Sequence, residues 1–367
     1  MRVIVIGAGV IGASVAYRLT RGAAVTLLER GRLCGGTSAA SFAWTNSNNK
    51  TPRAYHDLNV EGMRAHAALR AELGGAPWWH GGGNVEWVIG DAERAGMLRQ
   101  IARLRDWDYA AEEITAARLC ELEPDIPSRA VEHATIAYFP DEGWVETTVY
   151  VQALVQAAVA GGARVMTGTG VRELRRTGNR VAGVQTETGE VLEADAVVNC
   201  TGRWASEVGR AAGLAIPLAP NRSVLAITPP APARLARVIH APACQLRPDG
   251  GGRVMVQADD VDDAVTAARA DSPPADLAAD LVGRAAEVLP GLAGLAPESA
   301  RLGIRAMPSD GHSVVGPQDG VEGYYVVVTH SGVTLAPFLA VVAAAEILGG
   351  KPDPRLAPFR PDRFGVR

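Results

Sequence analysis

Apolar and polar positions along the chain alternate between strand-like and helical spacing, and the changes of period mark its elements. Val3 to Ile6 is a run of β-branched apolar residues, the pattern of a strand buried on both faces. Apolar positions from Val10 to about Arg21 follow a helical period, and Val25 to Leu28 forms a second apolar strand. Tyr55 to Leu73 predicts an amphipathic helix, Val85 to Ile89 a strand and Asp91 to Arg105 another helix. Thr115 is placed to cap a short helix that Pro124 stops. Thr147 to Ala160 predicts a helix ended by Gly161 and Gly162, followed by a strand over Arg164 to Val171. Two alternating segments then flank a turn at Thr188-Gly189, and an apolar strand runs from Ala196 to Asn199. Between Gly213 and Ala300 the chain is rich in Pro, Ala and Asp. There the pattern predicts loops around one strand, Arg253 to Gln257, and one helix, Leu277 to Leu289. Strands at Ala300 to Arg305 and Tyr324 to Thr329 precede Gly332 and a helix that reaches about Leu348.

The link between the first strand and first helix carries chemistry. Gly7, Gly9 and Gly12 stand at G-x-G-x-x-G spacing. The first glycine permits the tight turn, the second lets a pyrophosphate approach the backbone, and the third lets helix and strand pack closely. The helix N-terminus then presents N–H groups and the positive end of its dipole to the phosphates. Glu29 ends the second strand, where an acid accepts hydrogen bonds from ribose hydroxyls. The fingerprint fits NAD and FAD equally. The antiparallel insertion before Ala196 favours a two-domain flavoprotein over a simple nicotinamide dehydrogenase.

Composition narrows the class further. The 367 residues, 47% hydrophobic, suffice for two domains with cores. A net charge of −4 with no basic stripe argues against nucleic acid as a partner. No apolar run reaches the roughly 18 residues that span a bilayer. Cys34, Cys120, Cys200 and Cys244 are scattered and suggest neither a disulfide framework nor a metal site. The first strand begins at once, without a basic and apolar leader, so the expectation is a cytoplasmic protein.

Six stretches together resemble the FAD-dependent D-amino-acid oxidase superfamily, which includes glycine oxidase, sarcosine oxidase and D-amino-acid dehydrogenase. They are the opening "IGAGVIGASVAYRL…VTLLER", "GGTSAASFAW", "LCELEPDI", "GARV…VVNCTGRWA", "GIRAMPSDGHSVVG" and "VVVTHSGVTLAP". The resemblance implies an α/β fold: a Rossmann-type FAD-binding domain with an antiparallel meander insertion, plus a mixed α+β substrate domain. The FAD-binding domain is expected over residues 1–80, 144–212 and 302–367, and the substrate domain over 81–143 and 213–301.

On these residues the resemblance implies specific roles. Gly7, Gly9, Val10, Ile11 and Gly12 would cradle the FAD pyrophosphate, and Glu29 with Arg30 would hold the adenosine ribose. Thr37 and Ser38 would lie near the phosphates, and Ser41, Phe42 and Ala43 along the isoalloxazine ring. Val171 would contact adenine, and Gly202 would let the backbone approach the phosphates. Gly332, Val333, Thr334 and Leu335 would aim helix N–H groups at the flavin C2 carbonyl. Arg305, just before Pro308, Asp310 and Gly311, would clamp a substrate carboxylate, the alternative being a structural arginine paired with a local acid. His330 and His312 face either the flavin or a surface turn. Trp44 and Asn46 either line the pocket or, for Trp44, pack the core. The family's cysteinyl and histidyl flavin linkages find no candidate here, so the expected FAD is non-covalent. Lys50 is the only lysine near the flavin loop, and its role is open. The implied activity is oxidation of the C–N bond of an amino acid or related amine. The alternatives are a 2-hydroxy acid or secondary-metabolite intermediate on the same fold, or a flavin-binding subunit of a hetero-oligomeric dehydrogenase.

Overall fold

A computed structural model describes residues 1–364. The opening strand, Arg2–Ile6, lies at the centre of a six-stranded sheet. Its neighbours are Ala24–Leu28 on one side and Ala196–Asn199 on the other, both parallel to it. Arg164–Met166 and Tyr324–Val328 extend the parallel array, and Val314–Pro317 closes one edge antiparallel. The strands are almost wholly apolar because helices cover the sheet. Val10–Leu19, Thr147–Ala160 and Gly332–Ile347 pack there around Val5, Val15, Leu27, Val198 and Leu335.

A second sheet of eight strands forms the other half. Its order is Ser299–Pro308, Leu218–Ile227, Val254–Gln257, Cys244–Pro248, Val238–Ala241, Asn84–Val88, Thr135–Phe139 and Glu112–Ile114. One face packs against helices Asp259–Ala267 and Ala275–Val288 through Val224, Val256, Leu246, Leu281 and Val282. The opposite face presents Leu225, Ile227, Val238 and Met255 to Phe42 and Trp144. Strand Ser299–Pro308 crosses residue 302, where the sequence reading divides the two domains.

Two segments depart from the sequence pattern. The strand expected over 164–171 stops at Met166, and Val171–Thr177 begins a three-stranded antiparallel meander with Arg180–Thr186 and Val191–Glu193. "VRELRRT" buries only Leu174, so it shows no alternation to read. The second departure is the region after Gly213, where three further strands and the Asp259–Ala267 helix appear. Strand Leu218–Ile227 accommodates Pro220 for a visible reason. The N–H groups of Arg222 and Val224, which share its flank, bond to Thr266 Oγ1 (2.8 Å) and Asp262 Oδ1 (2.9 Å) of the adjacent helix. They do not bond to a strand, so Pro220 interrupts no ladder on that side. No helix among the described residues is long and apolar enough to cross a membrane.

Candidate active site

The glycine fingerprint closes around a cavity of about 390 Å³ at the C-terminal ends of the parallel strands. Gly7 has φ +97°, and a Cβ there would meet Cys200 O at 2.7 Å. A Cβ on Gly12 would meet Gly7 O at 1.8 Å, so helix and strand touch at a contact that excludes any side chain. Gly202, with φ +58°, carries the backbone along the opposite wall. Glu29 accepts from Ala8 N and Gly31 N, each at 2.8 Å, and so fixes the turn with its carboxylate on the cavity wall. Ser38 Oγ accepts from Val10 N at 3.1 Å, taking one of the unsatisfied donors of the helix N-terminus. Thr37 donates to Ile304 O at 2.5 Å. Arg30 and Arg203 lie over Trp204 at 4.8 and 4.0 Å. Val171 lines the cavity beside Thr169, Gly170 and Glu187.

The loop after Ser38 leads from this cavity to the inner face of the eight-stranded sheet. Ser41 Oγ accepts from Ala43 N at 3.0 Å, and Ala43 has φ +59°, an uncommon conformation for a residue other than glycine. Arg247 Nε donates to Phe42 O. Trp44 lies over His240 with ring centroids 4.1 Å apart, and its Nε1 donates to Glu142 Oε2 at 2.9 Å. Asn46 is buried, donates to Trp44 O at 3.3 Å and leaves its Oδ1 unpartnered. Gly332 to Leu335 open the last long helix beside this loop, and Thr334 Oγ1 donates to Trp44 O at 3.4 Å.

Beneath the loop the sheet carries a row of polar side chains. Gln257, Gln245, His240 and Glu86 stand in direct cross-strand register over four strands, and cross-strand partners share a face. Asn221 and Arg305 pair in register on the next two strands of the sheet beyond Gln257. Asn221 Oδ1, Gln245 Oε1 and Asn84 Nδ2 are buried without a hydrogen-bond partner among the described residues.

Arg305 Nη2 donates to Asp262 Oδ2 at 2.5 Å. The local acid weighed from sequence is therefore present, and the pair occupies one edge of the guanidinium fork. His330 is near Arg305 and Lys50. Burial, reinforced by those two cations, pushes it down to about 3, so it is neutral, and its Nδ1 has no partner. His312 packs instead between Tyr55 and Phe359, at 5.1 and 6.2 Å.

Sequence reasoning missed an acidic cluster behind the loop. Glu142 is fully buried and receives Tyr109 O–H at 2.6 Å, Trp44 Nε1–H at 2.9 Å, and the Ser47 and Asn48 N–H groups at 3.2 and 3.1 Å. Burial pushes its carboxyl up to about 8, and the hydrogen bonds from Tyr109, Asn48 and Ser47 pull it down. These influences oppose each other: the four groups hydrogen-bonded to Glu142 all donate, which favours the anion, while burial and the neighbouring Glu86 disfavour it. Glu86, bonded to Asn48 Nδ2 at 3.4 Å, is pushed up to about 7 by burial.

The family model for FAD-dependent oxidoreductases (DAO) matches residues 2–346. The chain belongs to this family. FAD is its cofactor, and the cavity, the glycine contacts and Glu29 fit the adenosine diphosphate half. Glycine oxidase of Geobacillus kaustophilus is 26% identical over 97% of this chain and 95% of that protein. Glycine oxidase of Pseudomonas aeruginosa is also 26% identical, over 98% of each chain. The crystal structure of the Geobacillus kaustophilus enzyme shares the fold with a TM-score of 0.85 at 23% identity, covering 98% of both chains. In this FAD-dependent oxidoreductase the loop from Ser41 to Asn46 touches both the helix that starts at Gly332 and the polar row of the sheet, through Trp44.

Proposed function

We propose that this enzyme oxidises the C–N bond of an α-amino acid or a related small amine, bound over the polar row with its carboxylate at the free edge of Arg305. One observation supports the reading: Arg305 and Lys50 lie within each other's field, and unpartnered amide oxygens stand on the same sheet. The free edge of the Arg305 guanidinium calls for an anionic group on the substrate, and amide oxygens accept from an amine. Bound FAD supplies a hydride acceptor. The chain's own part is orientation: Arg305 fixes the carboxylate, Trp44 and His240 wall one side, and the polar row meets the nitrogen. Full-length likeness to two glycine oxidases supports an amino-acid substrate. FAD is held without a covalent bond: Cys34 and Cys200 are buried, and burial raises both thiols. The free cysteines of the described residues suit a reducing, cytoplasmic setting.

The test is anaerobic mixing of the FAD-loaded protein with D- and L-amino acids, glycine, N-methylated and cyclic amino acids, and 2-hydroxy acids. Bleaching of the flavin absorbance by at least one amine is expected. Bleaching by hydroxy acids alone would refute the reading.

A further inference from the structure

Lys50 is an amine that the fold places without a counter-ion among the described residues. It is half-buried at the end of the loop Asn46–Lys50, and its ammonium makes no ion pair or hydrogen bond among the described residues. That loop is tied down on several sides. Glu142 holds the Ser47 and Asn48 N–H groups, Ser47 Oγ contacts His56 Nδ1 at 2.9 Å, and Gln100 and Arg103 of helix Asp91–Asp106 donate to Asn48 O at 3.3 and 3.5 Å. So braced, the loop sends the lysine towards Arg305 and His330. No other lysine occurs before Lys351.

We propose that Lys50 takes the proton from the ammonium group of an incoming amino acid and, once charged, holds the α-carboxylate together with Arg305. This rests on the amino-acid reading above. The step balances by itself. One N–H bond of the substrate ammonium breaks, one forms at Lys50 Nζ, and the electron pair stays on the substrate nitrogen, which must be neutral before its carbon can lose hydride. The neutral lysine becomes a cation as the zwitterion becomes a carboxylate anion, so transfer adds a second cation beside the carboxylate that Arg305 already holds.

The surroundings suit the exchange. Burial lowers Lys50 to about 8, with Glu142 raising it and Arg305 lowering it, so near-neutral solution supplies both forms. The other charged or titratable groups around the loop are Glu86 from strand Asn84–Val88, His56 from helix Arg53–Glu72, Arg103 from helix Asp91–Asp106, Tyr109 after that helix, which accepts from Ser47 N at 3.3 Å, and His330 before the last long helix. His330 and His56 are lowered by burial and do not compete for the proton. Arg305 shares its charge with Asp262, so Lys50 is the less neutralised cation of the two.

Acetate is a redox-inert probe for the carboxylate. Its binding to the FAD-loaded enzyme is measured by calorimetry in buffers of different ionisation enthalpy, between about pH 7 and about pH 9. The wild type is expected to take up roughly half a proton at pH 8 and more above it. Lys50→Met is expected to bind acetate at least about tenfold more weakly with no uptake. Lys50→Arg, which keeps the charge but cannot release its proton, should bind within about threefold of wild type without uptake. In anaerobic mixing with glycine, flavin bleaching by Lys50→Arg should rise about tenfold per pH unit, while the wild type levels off near pH 8. Equal acetate affinity and proton uptake in wild type and Lys50→Met would overturn the proposal, and amine oxidation would still stand if amino acids bleach both. If acetate fails to bind the wild type and no amine bleaches it, both readings fall.

Discussion

Gly12→Ala tests the fit between chain and cofactor at one atom. The added methyl would lie 1.8 Å from Gly7 O, against 3.4 Å for ordinary contact, and the atom it meets is backbone. Neither side can rotate away. Strand Arg2–Ile6 and helix Val10–Leu19 must part by more than an ångström, and the turn between them lines the cavity proposed for FAD. Overpacking of this kind costs roughly 1–3 kcal/mol. If the bound state carries the whole cost, FAD binds roughly 5- to 150-fold more weakly. The assay is quenching of FAD fluorescence on titration with apoprotein, beside thermal unfolding with and without FAD. Gly283→Ala is the control: it lies exposed in helix Ala275–Val288 with nothing within 4 Å of the new methyl. It should gain about 0.5–1 kcal/mol of stability and leave FAD affinity untouched. Wild-type affinity and melting temperature in Gly12→Ala would refute the contact argument.

Arg305→Leu should raise KM for carboxylate-bearing substrates at least about tenfold and scarcely change it for amines without a carboxylate, as measured by steady-state kinetics. Glu86 binds its proton more tightly folded, at about 7, than unfolded, so its stabilising contribution is full at acid pH and is lost as pH rises through 7. Glu86→Gln should therefore flatten that part of the melting profile and melt higher than wild type at pH 8. Acid precipitation should release all the flavin into the supernatant, and yellow colour retained in the washed pellet would show a covalent link.

Much of the dinucleotide half is legible in the sequence because its determinants are local. Strand, glycine turn, helix and acid follow one another within Val3 to Glu29, and each has a short-range cause. The sheet after Gly213 is less legible because Pro220 and its neighbours carry a strong local signal against strand. That signal is overridden by a helix, Asp259–Ala267, distant in sequence. The alternation in "NVEWV" marks two faces correctly, with Val85 and Trp87 on one and Asn84 and Glu86 on the other, but not which faces are covered. Both are covered here, so Glu86, which resembles a solvent-facing acid, joins the site. Glu142 gave no periodic signal at all, since its importance comes from four donors that converge only in the fold.

The stitches between the loop Thr37–Phe42 and the eight-stranded sheet have a thermodynamic consequence. Thr37 bonds to Ile304 O, and Arg247 to Phe42 O, so a loop proposed to meet the cofactor hangs from strands of the other half. Whatever steadies the loop steadies those strands, and saturation with FAD must propagate into amide protection as far as Ser299–Pro308 and Cys244–Pro248. The two halves should accordingly melt together when the enzyme is loaded and come apart in sequence when it is stripped.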